Sequence, residues 1–387
     1  MASIDIYESI EKIMEQGGSM VDFYRTEPVL AAYDLLRVDL APVQRIILRD
    51  MWFKNYCITV AGRGCGKSND INSLSYIDDK GLCYLYEEFP PIPSFLNDGE
   101  TIEIDDNKSI YTTYGFHPTK KISLEKNLKG IELKTKKGFV HRGSLHHPLL
   151  TIDKEGNFIY KQAQHFESGD RICIKRNHQI FGKNSVNSED AYLMGLFLGD
   201  GMISSEYNHQ DITTSDDEIK NYCINYCKNY SVPYRVDEDK RTSLTVSVIF
   251  KQFSMFFDKY GIKRCLSYDK EIPKIIRHSD KQTQIDFLQG LFDADGGFES
   301  SSGKISFCSV SKRLAIEVQM ILLNFGIVSR LREKKTKSDF GKAFIVEFGS
   351  NDLIIFRNEI NFKLKHKRES LDKYLFHTKL NTNIDTI

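Results

Sequence analysis

Two segments of the chain repeat one pattern: Leu193-Met-Gly-Leu-Phe-Leu-Gly-Asp200-Gly201 and Leu288-Gln-Gly-Leu-Phe-Asp-Ala-Asp295-Gly296. Each reads as an apolar helix that runs into Asp-Gly, and that ending is costly. A carboxylate in the last turn faces the negative end of the helix dipole, at roughly 0.3–1 kcal/mol, so something must offset it. Gly195 and Gly199 lie four apart, as do Gly290 and Ala294, which puts a small-residue stripe on each helix and lets another backbone come close. Gly201 and Gly296 suit the left-handed position that stops a helix. If the two helices pack on each other, Asp200 and Asp295 emerge side by side. They would repel unless they share a divalent cation, and hard oxygen ligands favour magnesium. Two copies in register, each followed by a β-rich stretch, predict two related halves.

The pattern resembles the LAGLIDADG homing endonucleases. The resemblance implies a pseudo-dimeric αββαββ pair over about 186–380, working as a monomer, with a saddle of strands on double-stranded DNA. It also implies a Mg²⁺-dependent double-strand cut, with Asp200 and Asp295 as metal-binding catalytic acids. Ser188 is placed to cap the first repeat helix. Such a nuclease tends to use a basic residue near its metals; Lys270 and Lys304 are candidates, and no spacing argument fixes either. A saddle that binds DNA without cutting stays open as an alternative.

Overall charge does not advertise a nucleic-acid partner, since 53 Lys and Arg balance 53 Asp and Glu. The distribution is more telling: residues 301–387 hold 16 Lys and Arg against 9 Asp and Glu. Arg330-Leu-Arg-Glu-Lys334-Lys335 and Lys363-Leu-Lys-His-Lys-Arg368 are the candidate phosphate contacts. Either run could equally be a solvated helix face.

A different signature precedes the repeats. The strand-like Tyr56-Cys-Ile-Thr-Val60 runs into Ala61-Gly-Arg-Gly-Cys-Gly66-Lys67-Ser68, a P-loop with Ala in the first Gly position. A working P-loop needs a helix directly after Lys-Ser to complete the phosphate cradle. Here Asn69 to Gly81 alternates polar and apolar residues into a turn, which predicts strand. The P-loop is therefore read as interrupted between Lys67 and Ser68. Asp39-Leu-Ala-Pro-Val-Gln44 and Gly62-Arg-Gly-Cys-Gly-Lys67 resemble the start of phage terminase large subunits. That resemblance covers about a sixth of the chain and implies nucleotide contacts at Gln44, Gly62, Gly64, Gly66 and Lys67. ATP would bind only a reassembled terminase, because no Walker B acid is visible before the repeats; a packaging ATPase fragment is the competing class.

Beyond the break, Ser73-Leu-Ser-Tyr-Ile-Asp-Asp-Lys-Gly-Leu-Cys-Tyr-Leu resembles the first block of an intein, with Ser68 as its first residue by that family's spacing. Arg142-Gly-Ser144-Leu-His-His147-Pro-Leu149 resembles the second block, with Ser144 where Thr is common. The implied chemistry is an acyl shift in which Ser68 Oγ attacks the Lys67 carbonyl. Such a step needs a proton for the departing amide nitrogen, which His147 can supply, and a group to hold the strained amide, which Ser144 can provide. A plain surface turn at His146-His147-Pro148 is the bland alternative. The implied fold over 68–185 is an all-β Hint horseshoe, and turns at Lys136-Lys-Gly138 and Lys154-Glu-Gly-Asn157 support β structure independently.

The expected architecture is thus α/β and α+β multidomain: a truncated P-loop start (1–67), an N-terminal part of a Hint domain (68–185) and a two-repeat endonuclease (186–380). Inteins close on His-Asn, whereas this sequence ends Asn381-Thr-Asn-Ile-Asp-Thr-Ile387. Completion of splicing is expected to need a separate C-terminal fragment. The 8 cysteines show no paired CxxC spacing, which suggests neither zinc nor a disulfide framework. Neither a bilayer-length apolar run nor a signal-peptide pattern is present; the expected compartment is a reducing cytoplasm, the host's if the gene is viral.

Overall fold

The computed structural model describes residues 69–112, 115–202, 209–238, 245–336 and 341–378. The P-loop residues Gln44, Gly62, Gly64, Gly66 and Lys67, and also Ser68, lie outside them. The chain divides into two compact units, Met1–Cys65 and Gly66–Ile387, and the described residues belong to the second.

The regular elements of residues 74–162 are almost all strands. β1 (Leu74–Ile77) and β2 (Gly81–Tyr84) form the hairpin expected after residue 69, followed by one helical turn, α1 (Leu85–Glu88). Then come β3 (Thr101–Asp105), β4 (Ser109–Thr112), β5 (Gly115–Pro118), β6 (Lys121–Glu125), β7 (Gly130–Lys134), β8 (Val140–Ser144), β9 (Pro148–Ile152) and β10 (Phe158–Gln162). They pair as one four-stranded sheet, β2-β1-β4-β5, and three two-stranded ribbons, β3-β6, β7-β8 and β9-β10. Both expected turns are present, and each has its glycine at positive φ, Gly138 at 90° and Gly156 at 91°, where an L side chain would be strained.

The remainder is built twice. The first half runs α2 (Ser188–Asp200), β11 (Gly201–Met202), β12 (His209–Thr214), α3 (Asp217–Asn229), β13 (Tyr234–Glu238), β14 (Val246–Lys251) and α4 (Ser254–Tyr260). After the short α5 (Lys274–Arg277), the second half repeats this as α6 (Lys281–Ala294), β15 (Gly296–Glu299), β16 (Lys304–Ser309), α7 (Lys312–Asn324), β17 (Arg330–Lys335), β18 (Lys342–Gly349) and α8 (Asn351–Glu359), with α9 (Lys365–His377) appended. The two antiparallel sheets have equivalent orders, β11-β12-β14-β13 and β15-β16-β18-β17.

α2 and α6 form the axis of this double fold. Every residue from Asp190 to Leu198 is buried, as expected of a helix that is apolar nearly all round. Phe197 packs on Phe250, Phe253 and Phe257 under the first sheet. Its counterpart Phe292 packs on Phe307, Phe348 and Phe356 under the second. The β-rich segment shares this core, for Tyr76, Leu82 and Ile180 join the same apolar cluster.

Two local expectations change. The cap of α2 is Asn187, whose side chain accepts from the N–H groups of Glu189 and Asp190, while Ser188 is already helical. Gly201 is not left-handed: its φ and ψ are −89° and 145°, and Gly296 is likewise outside the positive-φ set. Each helix turns straight into a strand, and glycine is needed because a Cβ would collide with the helix it leaves. At Gly201 that Cβ would sit 2.5 Å from the Phe197 carbonyl oxygen, and at Gly296 it would sit 2.7 Å from that of Phe292.

Candidate active site

The small-residue stripe does what its spacing predicts. A Cβ on Gly290 would lie 2.0 Å from the Tyr192 carbonyl oxygen, one on Gly195 2.2 Å from that of Phe287, and one on Gly199 2.5 Å from the Ala294 methyl. Backbones this close leave no room for branched side chains between α2 and α6. Asp200 and Asp295 consequently leave the pair at one end and interact. Burial, and then the Asp200 charge, push the Asp295 carboxyl up, although its side chain keeps an accessible face. Burial raises Asp200 as well, while Lys367 and Lys270 pull it back.

Those two lysines offset the dipole cost anticipated from sequence. Lys270 Nζ donates to the carbonyls of Leu198, Gly199 and Gly201 at 2.8, 3.0 and 3.2 Å. Lys367 Nζ donates to those of Phe292, Asp293 and Gly296 at 3.1, 2.6 and 2.6 Å. Each ammonium thus sits on the C-terminal carbonyls of one repeat helix, where a cation is favoured, and burial draws both lysines below their ordinary range. Both are held from behind. Ser311 Oγ donates to the Lys270 carbonyl at 2.6 Å. The buried Asp293 carboxylate accepts the N–H groups of Lys363 and Leu364, both at 3.1 Å, and so anchors the entry to α9.

Sequence reasoning named Lys270 but missed Lys367, which was hidden in a run read as phosphate contacts. A usable signal existed: Lys270 follows Asp200 by 70 residues and Lys367 follows Asp295 by 72. The run from 363 to 368 is therefore not a uniform basic face, since Lys367 turns inward and His366 pairs with Asp216 at 3.4 Å. Lys304 is also displaced from the site, lying on β16 beside Glu347 at 3.4 Å. The open face of the second sheet carries Arg330, Arg332 and Lys334 at alternate positions of β17, with Leu331 turned inward. Arg332 is tied to Glu347 at 3.1 Å. We expect Lys367→Met to cost roughly 1–3 kcal/mol in urea denaturation, because the donor to three carbonyls disappears.

The other candidate residues gather at the end of β8. Asn69, the first described residue, makes a β-bridge with Gly143, and the Asp70 N–H donates to the Arg142 carbonyl at 3.1 Å. Ser144 is buried, and its Oγ has no hydrogen-bond partner among the described residues. The His147 N–H closes a turn on the Ser144 carbonyl at 3.1 Å. The His147 ring lies 4.5 Å from that of His141, tilted by 48° to it; burial and the neighbouring His147 push the His141 imidazole down to about 4. The spacing reading did not single out His141.

Comparison with known proteins finds two LAGLIDADG-like domains. A family model described as a WhiA LAGLIDADG-like domain matches residues 189–263, and one described as a LAGLIDADG-like domain matches residues 282–361. The replication factor C small subunit of Methanocaldococcus jannaschii is 30% identical over 263 residues, which is 66% of this chain and 14% of that protein. The probable translation initiation factor IF-2 of the same organism is 28% identical over 266 residues, or 65% of this chain and 22% of that protein. The chain thus spans only a minor part of the relatives it matches. Among solved structures, the homing endonuclease I-DmoI in complex with DNA and Mn aligns at 18% identity and a TM-score of 0.33, over 45% of this chain and 96% of that one. Among the described residues no helix is long and apolar enough to cross a membrane.

Proposed function

We propose that the chain carries, after residue 67, an insertion element of the intein kind with a DNA endonuclease. Residues 186–380 cut double-stranded DNA in a reaction that needs a divalent cation, with Asp200 and Asp295 as its ligands. The observation that carries this reading is the carboxylate pair at the shared end of α2 and α6, with each helix end bonded by its own lysine, Lys270 buried and Lys367 partly buried. The ion, of which magnesium fits the oxygen donors, would supply Lewis-acid and water-activating chemistry. The protein's part is to hold the two carboxylates together against their repulsion and to present the strand faces, with Arg330, Arg332 and Lys334, to the phosphates.

Residues 68–185 belong to a splicing domain that follows residues 1–67 of a terminase large subunit. The relatives support an inserted module. A replication factor C small subunit and a probable translation initiation factor bear different names, yet both resemble this chain over some 260 residues that make up a small share of their length. The bridge from Asn69 to β8 supports Ser144 and His147 as attendants of the bond before Ser68.

Each half has its own test. Duplex DNA spanning the uninterrupted P-loop codons should be cut in Mg²⁺ and left whole with a chelator; chelator-resistant cutting would refute the shared-ion reading. Hydroxylamine should release a fragment ending at Lys67 from the folded chain, and Ser68→Ala should abolish the release. An intact wild-type chain after prolonged incubation would sink the acyl shift.

A further inference from the structure

The cysteine spacing points to no metal, but the tertiary structure assembles a ligand set that spacing cannot reveal. Cys83 on β2, Glu88 at the end of α1 and His278 just after α5 place Sγ, a carboxylate oxygen and an imidazole nitrogen within 4.8 Å of one another. Cys83 Sγ and His278 Nε2 are 3.1 Å apart, and 195 residues separate them in sequence. Cys83 is fully buried, His278 is 7% exposed, and the Glu88 side chain is 4% exposed. We propose that these three side chains form a zinc site that ties the β-rich segment to the two-repeat fold.

The backbone is already set for such a clamp. Gly81 (φ 78°) is so close to its neighbours that a Cβ there would lie 2.9 Å from the Gly182 nitrogen and 3.0 Å from the Arg277 carbonyl oxygen; one on Gly182 would lie 2.0 Å from that of His278. Lys80 bridges to Gly182, and the Gly182 and Asn184 N–H groups donate to the Ser279 and His278 carbonyls at 2.9 and 3.1 Å. Three chain segments therefore meet around the cluster. The two carboxylates at the site are held by outer partners. Glu87 lies 3.7 Å from His278 Nε2, and its carboxylate is engaged by Arg277 through two hydrogen bonds. Lys80 pairs with Glu88 from the solvent side, and Lys274 approaches the same carboxylate at 4.0 Å. Such outer partners orient a ligating carboxylate.

One thiolate, one imidazole and one carboxylate with a water in the fourth position fit a tetrahedral, borderline-soft ion, which favours zinc over magnesium or calcium. On binding, Cys83 gives its thiol proton to solvent, so uptake releases a proton. The site is separate from Asp200 and Asp295 in residues and in ligand chemistry, and it stands whether or not the nuclease or splicing readings do.

The test uses the chelator-stripped full chain. Titration with Co²⁺ should give a thiolate-to-cobalt charge-transfer band that saturates at one equivalent and is bleached by Zn²⁺. Asp200→Asn and Asp295→Asn should leave the band unchanged, Glu88→Gln should weaken cobalt binding by roughly 10-fold or more, and Cys83→Ser or His278→Gln should abolish it. Because those last variants can lose the fold, X-ray absorption of the zinc-loaded wild type gives a second reading, with one sulfur expected at about 2.3 Å among nitrogen and oxygen ligands. Absence of the band in wild type, its survival in Cys83→Ser, or a zinc shell without sulfur would overturn the site.

Discussion

Asp200→Asn should abolish double-strand cleavage while leaving DNA binding and folding intact. Asparagine keeps the shape of the side chain at the end of α2 and removes its charge. The shared cation then loses a ligand, and the rate should fall by at least roughly 100-fold, the scale of losing one electrostatic stabiliser of a transition state. Binding should retain its affinity and salt dependence, because those come from phosphate contacts on the strands. The stability effect runs the opposite way. Burial and then the Asp200 charge raise the folded-state Asp295 carboxyl above its ordinary value. Such a group costs the fold stability as pH rises from its unfolded towards its folded pKa, and the cost remains above both. Neutralising Asp200 relieves one cause, so the metal-free variant should melt no lower than wild type at neutral pH. Asp295→Asn should behave the same way. Retained cutting by either variant would remove the shared-ion reading, and a variant that fails to bind DNA would show that the carboxylates serve the fold.

Gly290→Val should be far more damaging to the fold. The added carbons would begin 2.0 Å from the Tyr192 carbonyl oxygen and 3.0 Å from the Leu196 nitrogen, which are backbone atoms in a buried helix and cannot swing aside. α2 and α6 must separate, with loss of packing along their whole length, at a cost of roughly 4 kcal/mol or more. In differential scanning calorimetry that corresponds to a fall of about 6 °C or more for a unit spanning Gly66–Ile387. Gly297→Ala provides the control, since nothing lies within 4 Å of its added carbon and its melting temperature should stay within about 2 °C of wild type. If Gly290→Val melts normally, the close approach of the two helices is not what holds the halves together.

The doubled architecture was legible because the repeat carries its packing rule in its own letters. Apolar residues at helical spacing make α2 and α6 buried, and glycines four apart bring them into backbone contact. Asp-Gly then fixes where the carboxylates emerge, all of it local chemistry with a period of one turn. The β character of residues 74–162 was legible for the same reason, since alternation and turn glycines act over a few residues. Even the errors were local. Gly201 and Gly296 were assigned to a left-handed stop, whereas a steric limit against the preceding turn requires them. Ser188 lost its cap role to Asn187 by one position.

Least legible in the sequence are the groups that reach their partners through the folded chain. Lys270 and Lys367 find the helix-end carbonyls from about 70 residues away, and Cys83 meets His278 across 195 residues. Asn69 lies beside Gly143 through a strand bridge that no spacing announces. The sequence by itself determined the repeated helices, their close-packed stripe and the pair of carboxylates at their ends, because these follow from residue size and helical period. The tertiary structure alone decided which lysines neutralise those ends and which thiol meets which imidazole, because a charge or a ligand acts through distance in space.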